Sequence, residues 1–186
     1  MDLNEKTIDR TVIYNGKIVD VEIHTVTLPN GETSTRELVY HNGAVAVCAL
    51  TPKKEVVLVK QYRKPVEKPL LEIPAGKLED DENRVEAAKR EEAAKRELEE
   101  ETGYIAKELT HVVDMYGSPG FCDEQLSIYF TDNLEEGTVH LDEDEFVEVI
   151  KVPIENVKSM LMNKEIEDAK TIIALQHLLL NYNHSK

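Results

Sequence analysis

Long apolar runs are missing from this 186-residue sequence, and no stretch of it approaches the length of a membrane span. Its first residues are polar and charged, so we expect no secretory signal. Cysteine is scarce as well: Cys48 and Cys122 show no CxxC spacing, which favours reduced thiols over a disulfide. These absences exclude a membrane-spanning protein and favour a cytoplasmic one.

The sequence also has fewer basic than acidic residues. It contains 22 Lys and Arg and 37 Asp and Glu, which gives a formal net charge of -15. This charge disfavours a nucleic-acid backbone as partner, and nothing points to a membrane partner. An anionic phosphate substrate would need a metal ion and a few local arginines to offset the repulsion. The hydrophobic content of 41% is ordinary for one globular domain.

Residues 96–104 form a dense acidic patch at the end of a predicted helix. Glu97, Glu100 and Glu101 are three and four residues apart, so a helix brings them onto one face, where they repel one another unless a cation is bound. Carboxylate oxygens are the ligands that Mg2+ prefers. The alternative is a solvated charge run on a surface helix.

The same helix contains a tandem repeat, since residues 86–91 read Glu-Ala-Ala-Lys-Arg-Glu and residues 92–97 repeat these six residues. With one copy removed, the segment from Gly76 to Tyr104 resembles without a gap the signature of the Nudix hydrolases, Gly-x5-Glu-x7-Arg-Glu-aliphatic-x-Glu-Glu-x-Gly-aliphatic. The second half of the signature is continuous at Arg96, Glu97, Leu98, Glu100, Glu101 and Gly103. The first half, Gly76 and Glu82, is displaced. We therefore interpret the chain as a Nudix hydrolase with a six-residue duplication in its catalytic helix.

The duplication has a geometric consequence, because six helical residues add roughly 9 Å and about 600° of rotation. We expect one helix over about 84–102, with the second copy in the family's position and the extra length added at the helix start. The loop 77–83 would then be displaced, and Glu82 would face Arg90 instead of Arg96. A bulge between the copies is the alternative. Deleting residues 86–91 should raise activity, because it returns Ala75, Gly76 and Glu82 to register with Glu97, Glu101 and Arg96.

Alternating apolar residues and turn signals predict the remaining elements. Strands are predicted at 11–14, 18–28, 35–40, 44–50, 56–61, 70–73, 109–115, 126–131 and 146–152, and further helices at 154–163 and 168–181. A mixed sheet covered by helices follows, which agrees with the α/β/α sandwich that the Nudix resemblance implies. A small N-terminal antiparallel sheet is added to it. We expect residues 1–41 to form a dimerisation and substrate-contact region and 42–186 the catalytic domain.

Other residues resemble the ADP-ribose-cleaving branch of the family. Ser118, Pro119 and Gly120 match the proline-containing run of that branch, although such a tripeptide can equally be a simple turn. Arg36, Glu37 and Arg63 match its substrate contacts, and arginine grips phosphate oxygens with two donors. The alternative for each arginine is a surface charge. The resemblance also implies a homodimer in which the N-terminal sheet helps to build both active sites.

The mechanism that the resemblance implies is metal-assisted attack of water on the pyrophosphate of ADP-ribose, giving AMP and ribose 5-phosphate. Glu97 and Glu101 would be the primary ligands of Mg2+, or alternatively of Mn2+, with Glu100 as a further ligand and the carbonyl of Ala75 completing the site.

The general base would come from an acidic loop, with Glu143 and Glu145 as candidates; a solvated loop without a catalytic role is the alternative. Two other functions stay open. One is hydrolysis of another nucleoside diphosphate derivative, such as a nucleotide sugar or an oxidised nucleotide. The other is a folded, inactive protein or binding module whose metal loop is spoiled by the duplication.

Overall fold

The structure is a computed structural model, and it describes residues 2–79, 87–141 and 146–182. Its strands are β1 Lys6–Asn15, β2 Val19–Thr27, β3 Thr33–His41, β4 Ala44–Leu50, β5 Glu55–Arg63, β6 Lys68–Glu72, β7 Ala75–Lys77, β8 Tyr104–Ala106, β9 Thr110–Tyr116, β10 Gln125–Thr131, β11 Leu134–Glu136 and β12 Val147–Pro153. Its helices are α1 Ala87–Thr102, α2 Ile154–Met162 and α3 Ala169–Tyr182. Each predicted strand and helix is present, and β1 is longer than predicted.

The N-terminal strands form a sheet of their own, in the order β1-β2-β3, with antiparallel pairing throughout. Gly16 lies in the turn between β1 and β2, where its N–H donates to the carbonyl of Val19 at 3.1 Å. β1 is an edge strand and most of its side chains are exposed to solvent, including those of Val12 and Tyr14. This sheet therefore ends in an apolar, solvent-facing edge.

The central sheet is mixed, as predicted, with the order β12-β5-β4-β10-β9. β10 runs parallel to β4, whereas β5 and β7 pair with β4 in the antiparallel direction. All seven residues of β4 are buried, which explains why this strand reads as a continuous apolar run.

Alternation along β4 sends its side chains to two separate cores. Ala46, Cys48 and Leu50 belong to a core that includes residues of α2 and α3. Val45, Val47 and Ala49 belong to a second core that includes Ala93, Ala94 and Leu98 of α1. The sheet thus lies between α1 on one face and α2 and α3 on the other, which confirms the sandwich.

α1 is continuous from Ala87 to Thr102 and passes through the junction of the two repeat copies without interruption. The bulge considered as an alternative is therefore wrong, and the first copy lengthens the helix towards its start. Gly103, with a φ of +72°, follows the last residue, and its N–H donates to the carbonyl of Glu99 at 2.8 Å. The predicted pairing of Glu82 with Arg90 lies outside the described residues.

Both cysteines are free thiols, as predicted, and burial raises the pKa of Cys48 to about 12. Across the ranges that the structure describes, no helix has the length and apolar character needed to cross a membrane.

Candidate active site

The short strand β7 holds the loop residues Ala75 and Gly76 directly against α1. Pairing with β4 fixes this position, since Ala75 lies opposite Ala46 and Gly76 opposite Val45. The backbone N–H of Ala75 donates to Oε2 of Glu101 at 3.1 Å, and Glu101 is only 1% exposed.

Gly76 allows the closest approach of the loop to the helix. A Cβ atom at this position would lie 1.8 Å from Cδ of Glu97, so any side chain there would displace the Glu97 carboxylate. Glu97 and Glu101 of the second copy therefore meet the loop, as expected. This contact exists in the full-length chain, and the effect of deleting residues 86–91 on activity stays a prediction.

Arg96 balances the charge of this acidic face. Its Nη1 donates to Oε1 of Glu97 at 2.8 Å and to Oε2 of Glu100 at 3.0 Å. Within the described residues, no three acids, histidines or cysteines are already arranged around one point as a metal shell. The donor set nonetheless fits a hard divalent cation, because three carboxylates share one helix face beside a glycine that leaves them room.

The first copy takes a different place although its sequence is identical. Glu91 accepts a hydrogen bond from Nζ of Lys95 at 2.7 Å on the partly exposed side of α1. Arg90, in contrast, is buried, and its guanidinium donates to Ser127 and Gln125 of β10.

A cavity of about 390 Å³ opens beside Ala75 and Gly76, and we call it the Arg63 cavity. The polar residues that line it are His41, Arg63, Glu72, Lys77, Glu124, Asp168 and Lys170. Four of these, His41, Arg63, Lys77 and Lys170, are basic residues on different elements of an acidic protein. The cavity therefore offers cationic contacts to an anion next to the three clustered carboxylates.

Arg63 is predicted to contact substrate, and it lies in this cavity with 39% of its side chain exposed. Its Nε and Nη2 donate to the two carboxylate oxygens of Glu72, at 2.7 and 2.8 Å. Lys170 of α3 also donates to Glu72 and to Asp168. Burial pushes the pKa of Glu72 upward, but the hydrogen bond from Arg63 and the charge of Lys170 outweigh it and hold the pKa below its usual value.

The structure leaves Arg36 and Glu37 outside the Arg63 cavity, as judged from the described residues that line it. They are neighbours on β3 and their side chains point to opposite faces of the N-terminal sheet. Arg36 donates through Nε to Oε2 of Glu5 at 2.8 Å, and this hydrogen bond is the main reason why the pKa of Arg36 is raised.

The loop carrying Ser118, Pro119 and Gly120 is a turn, because the N–H groups of Phe121 and Cys122 both donate to the carbonyl of Ser118. The turn also lines a second cavity, of about 330 Å³. Its other lining residues include Leu38, Tyr40 and Tyr116.

Asp123 connects this turn to the Arg63 cavity. Its Oδ1 accepts a hydrogen bond from the backbone N–H of His41 at 2.9 Å. The two cavities are therefore neighbours along the end of β3. The candidates Glu143 and Glu145 lie outside the described residues.

Several cavity residues were not predicted. Glu72 and Lys77 flank the Ala75–Gly76 loop in the sequence, so proximity to the motif could have indicated them. His41, Glu124 and Lys170 carry no such signal, because only the pairing of distant strands and the docking of α3 bring them to the loop.

A model of the NUDIX domain matches residues 40–175, a range that contains β4, the Ala75–Gly76 loop and α1. The chain belongs to the NUDIX family. A relative from Bacillus subtilis (strain 168), an ADP-ribose pyrophosphatase, is 48% identical over 180 residues, which cover 96% of this chain and 94% of the relative.

Another NUDIX relative, the methanol dehydrogenase activator of Bacillus methanolicus, is 46% identical over 179 residues, with 95% of this chain and 93% of the relative covered. Among solved structures, an ADP compounds hydrolase superposes with a TM-score of 0.81 at 20% identity, over 99% of this chain and 97% of the other. This last likeness confirms the NUDIX sandwich as the fold.

Proposed function

We propose that the chain hydrolyses the pyrophosphate of ADP-ribose to AMP and ribose 5-phosphate. The observation that carries this proposal is the contact of Glu97 and Glu101 with the Ala75–Gly76 loop at the edge of the Arg63 cavity. The Bacillus subtilis relative supports the choice of substrate. The same contact speaks against a metal loop spoiled by the duplication.

Glu97 and Glu101 would be the primary ligands of a divalent metal ion, with Glu100 as a further ligand and the carbonyl of Ala75 completing the set. Mg2+ suits carboxylate oxygens best, and Mn2+ is the alternative. When bound, the ion would polarise the pyrophosphate and offset the charge that builds up as the bond breaks.

The protein's own groups prepare this site before any substrate arrives. Arg96 holds Glu97 and Glu100 on one face of α1, and the Ala75 N–H fixes Glu101. Both contacts limit the conformations that the carboxylates must search, and such preorganisation favours catalysis.

Arg63 is oriented in the same way by its two hydrogen bonds to Glu72, which leave its Nη1 group for a phosphate oxygen. The turn at Ser118, Pro119 and Gly120 would supply further substrate contacts. Arg36 and Glu37, which lie outside the Arg63 cavity of their own chain, would contact substrate in the second site of the proposed dimer. Glu143 or Glu145 would orient or deprotonate the attacking water.

A homodimer is part of this proposal, with residues 1–41 as the dimerisation and substrate-contact region and 42–186 as the catalytic domain. The exposed apolar edge of the N-terminal sheet supports it, because an unpaired strand with apolar side chains favours association with a second copy. We place the enzyme in the cytoplasm, where its two thiols stay reduced.

A substrate panel tests the choice of ADP-ribose. With Mg2+ present, release of AMP from ADP-ribose should be faster, by kcat/KM, than hydrolysis of nucleoside triphosphates, nucleotide sugars or oxidised nucleotides. Faster turnover of any of these competitors would replace ADP-ribose as the assigned substrate.

A second function follows from the Bacillus methanolicus relative. We propose that the chain also activates an alcohol dehydrogenase of the methanol dehydrogenase type, because the likeness to that activator extends over 95% of the chain. Methanol oxidation should rise when the unaltered protein is added to such a dehydrogenase. No increase at equimolar protein would remove this second function.

A further inference from the structure

Arg90 is a buried charge that the hydrolysis mechanism does not use. It lies in the first repeat copy and is 4% exposed, on the helix face that also contains the buried Ala93 and Ala94. Burying a guanidinium is costly unless its donors are satisfied. Nη1 donates to Oγ of Ser127 at 2.6 Å and Nη2 donates to Oε1 of Gln125 at 3.0 Å.

The network continues to a carboxylate on the next strand. Oγ of Ser127 donates to Oδ1 of Asp114 at 2.6 Å. Burial pushes the pKa of Asp114 upward, but hydrogen bonds from Ser127 and His111 and the charges of His111 and Arg90 hold the pKa below its usual value. Arg90 thus faces an ionised partner across β10.

Three chain segments meet around this guanidinium. A Cβ atom built on Gly43 would lie 3.4 Å from Nη2 of Arg90, 3.5 Å from Leu78 and 2.8 Å from the carbonyl of Gln125. Gly43 has a φ of +95° and its carbonyl accepts a hydrogen bond from the N–H of Leu78 at 2.9 Å. The turn after β3, the residue after β7 and the start of β10 therefore meet at Gly43, beside the Arg90 guanidinium.

Each of these three residues adjoins one that lines the Arg63 cavity. Leu78 follows Lys77 and Gln125 follows Glu124 in the chain. Gly43 is two residues after His41, and its N–H donates to Nδ1 of His41 at 3.0 Å. Arg90 is consequently placed directly behind the wall formed by His41, Lys77 and Glu124.

We propose that Arg90 is a positioning residue that sets this wall for substrate binding. The proposal rests on the proposed hydrolysis of ADP-ribose. Loss of the guanidinium would free Gln125 and the Gly43 turn, so His41, Lys77 and Glu124 would shift together. Substrate binding would weaken while the carboxylates of the second copy, held by the Ala75–Gly76 loop and Arg96, would stay in place.

The repeat gives this proposal an unusual internal control. Arg84 stands six residues before Arg90, so deleting residues 86–91 brings Arg84 to the separation from Arg96 that Arg90 has now. We expect the shortened helix to present Arg84 to Ser127 and Gln125, in the place that Arg90 has in the full-length chain.

The experiment compares Arg90→Gln with Arg90→Lys and with Lys89→Gln, which removes the same charge from a partly exposed position one residue away. For Arg90→Gln we expect KM for ADP-ribose to rise about tenfold while kcat stays within about twofold. A small displacement of the residues that contact substrate is enough for a large effect. Arg90→Lys should recover part of the loss and Lys89→Gln should behave as the unaltered protein. Melting temperatures identify variants that are merely unfolded.

A second experiment uses the variant that lacks residues 86–91. Arg84→Gln should raise KM in the variant lacking residues 86–91 and leave it unchanged in the full-length chain. A kcat loss without a KM change in Arg90→Gln, or no effect of Arg84→Gln in the deletion background, would overturn the proposal.

A measurement made without substrate tests the role of Arg90 independently of the proposed hydrolysis of ADP-ribose. In NMR spectra, the ring signals of His41 should shift in Arg90→Gln, while those of His177 on α3 should not. If the unaltered protein does not hydrolyse ADP-ribose, the proposed function has failed, and unmoved His41 signals would still overturn the role of Arg90.

Discussion

Identical residues in the two repeat copies have different surroundings, because the loop at Ala75 and Gly76 contacts the second copy. Glu97 lies against Gly76, whereas Glu91, at the same place in the first copy, pairs with Lys95. Glu97→Gln should lower Mg2+-dependent hydrolysis by at least about 100-fold, and Glu91→Gln should change it little. Equal losses in a kcat/KM comparison would mean that both copies serve the metal site.

Gly76 offers a stricter test of the same contact. Gly76→Ala places a methyl group where the Glu97 carboxylate now lies, so this carboxylate must leave its present position or the loop must shift. We expect a loss of kcat/KM of about 100-fold and a lower melting temperature. Gly117→Ala is the matched control, because a Cβ there meets no atom within 4 Å. Full activity in Gly76→Ala would show that the close approach is unimportant.

Arg63 pairs with Glu72, and we expect this pair to contribute to stability in addition to the substrate contact proposed for Arg63. The depressed pKa of Glu72 contributes stability that is present above the unfolded-state pKa of glutamate, about 4.3, and is lost as the pH falls through the lower folded-state pKa. Arg63→Ala should raise KM and lower the free energy of unfolding by about 1–3 kcal/mol at pH 7, with solvent screening of the exposed arginine reducing the value. Urea unfolding should show this difference shrinking below pH 4; a constant difference would exclude Glu72 as its cause.

At the scale of elements, long periodic segments were predictable and short or charged ones were not. The apolar run of β4 and the alternation of β10 predicted their strands directly. β7, β8 and β11 have three residues each, too few for a periodic pattern, and pairing with neighbours defines them.

Charged residues account for what sequence reasoning missed at the site. The burial of Arg90 on α1 could not be predicted, because a sequence pattern does not show that Ser127 and Gln125 of β10 accept its hydrogen bonds. Glu97 and Glu101 could be proposed because the family motif fixes their spacing, and Arg63 could be proposed because the end of β5 resembles the ADP-ribose branch. Lys170 could not, since only the docking of α3 brings it to Glu72.

The continuity of α1 changes the expectation for the deletion of residues 86–91. Glu97 and Glu101 already contact the loop, and Arg84 would replace Arg90, so kcat/KM for ADP-ribose should stay within about threefold of the full-length value. Circular dichroism should show the loss of helical residues. A rise in kcat/KM of tenfold or more would restore the idea of a strained loop.

The whole molecule presents an apolar edge that a second copy would cover. Val12 is 63% exposed and Tyr14 is 56% exposed on β1, which pairs only with β2 among the described strands. Light scattering after size exclusion should give twice the 21.1 kDa chain mass, and Val12→Glu should shift it to one chain. Thr11→Glu on the same strand controls for added charge. A monomeric unaltered protein at micromolar concentration would contradict the dimer.

The most direct test of the account is release of AMP from ADP-ribose, measured with the unaltered protein and with Glu101→Gln at saturating Mg2+ and again after chelation. Glu101 is buried against the Ala75 N–H, so the glutamine keeps the shape and removes the charge. We expect AMP and ribose 5-phosphate in equal amounts from the unaltered protein, none after chelation, and a loss of at least about 100-fold in the variant. Undiminished AMP release by Glu101→Gln, or release that continues without a divalent ion, would contradict the account.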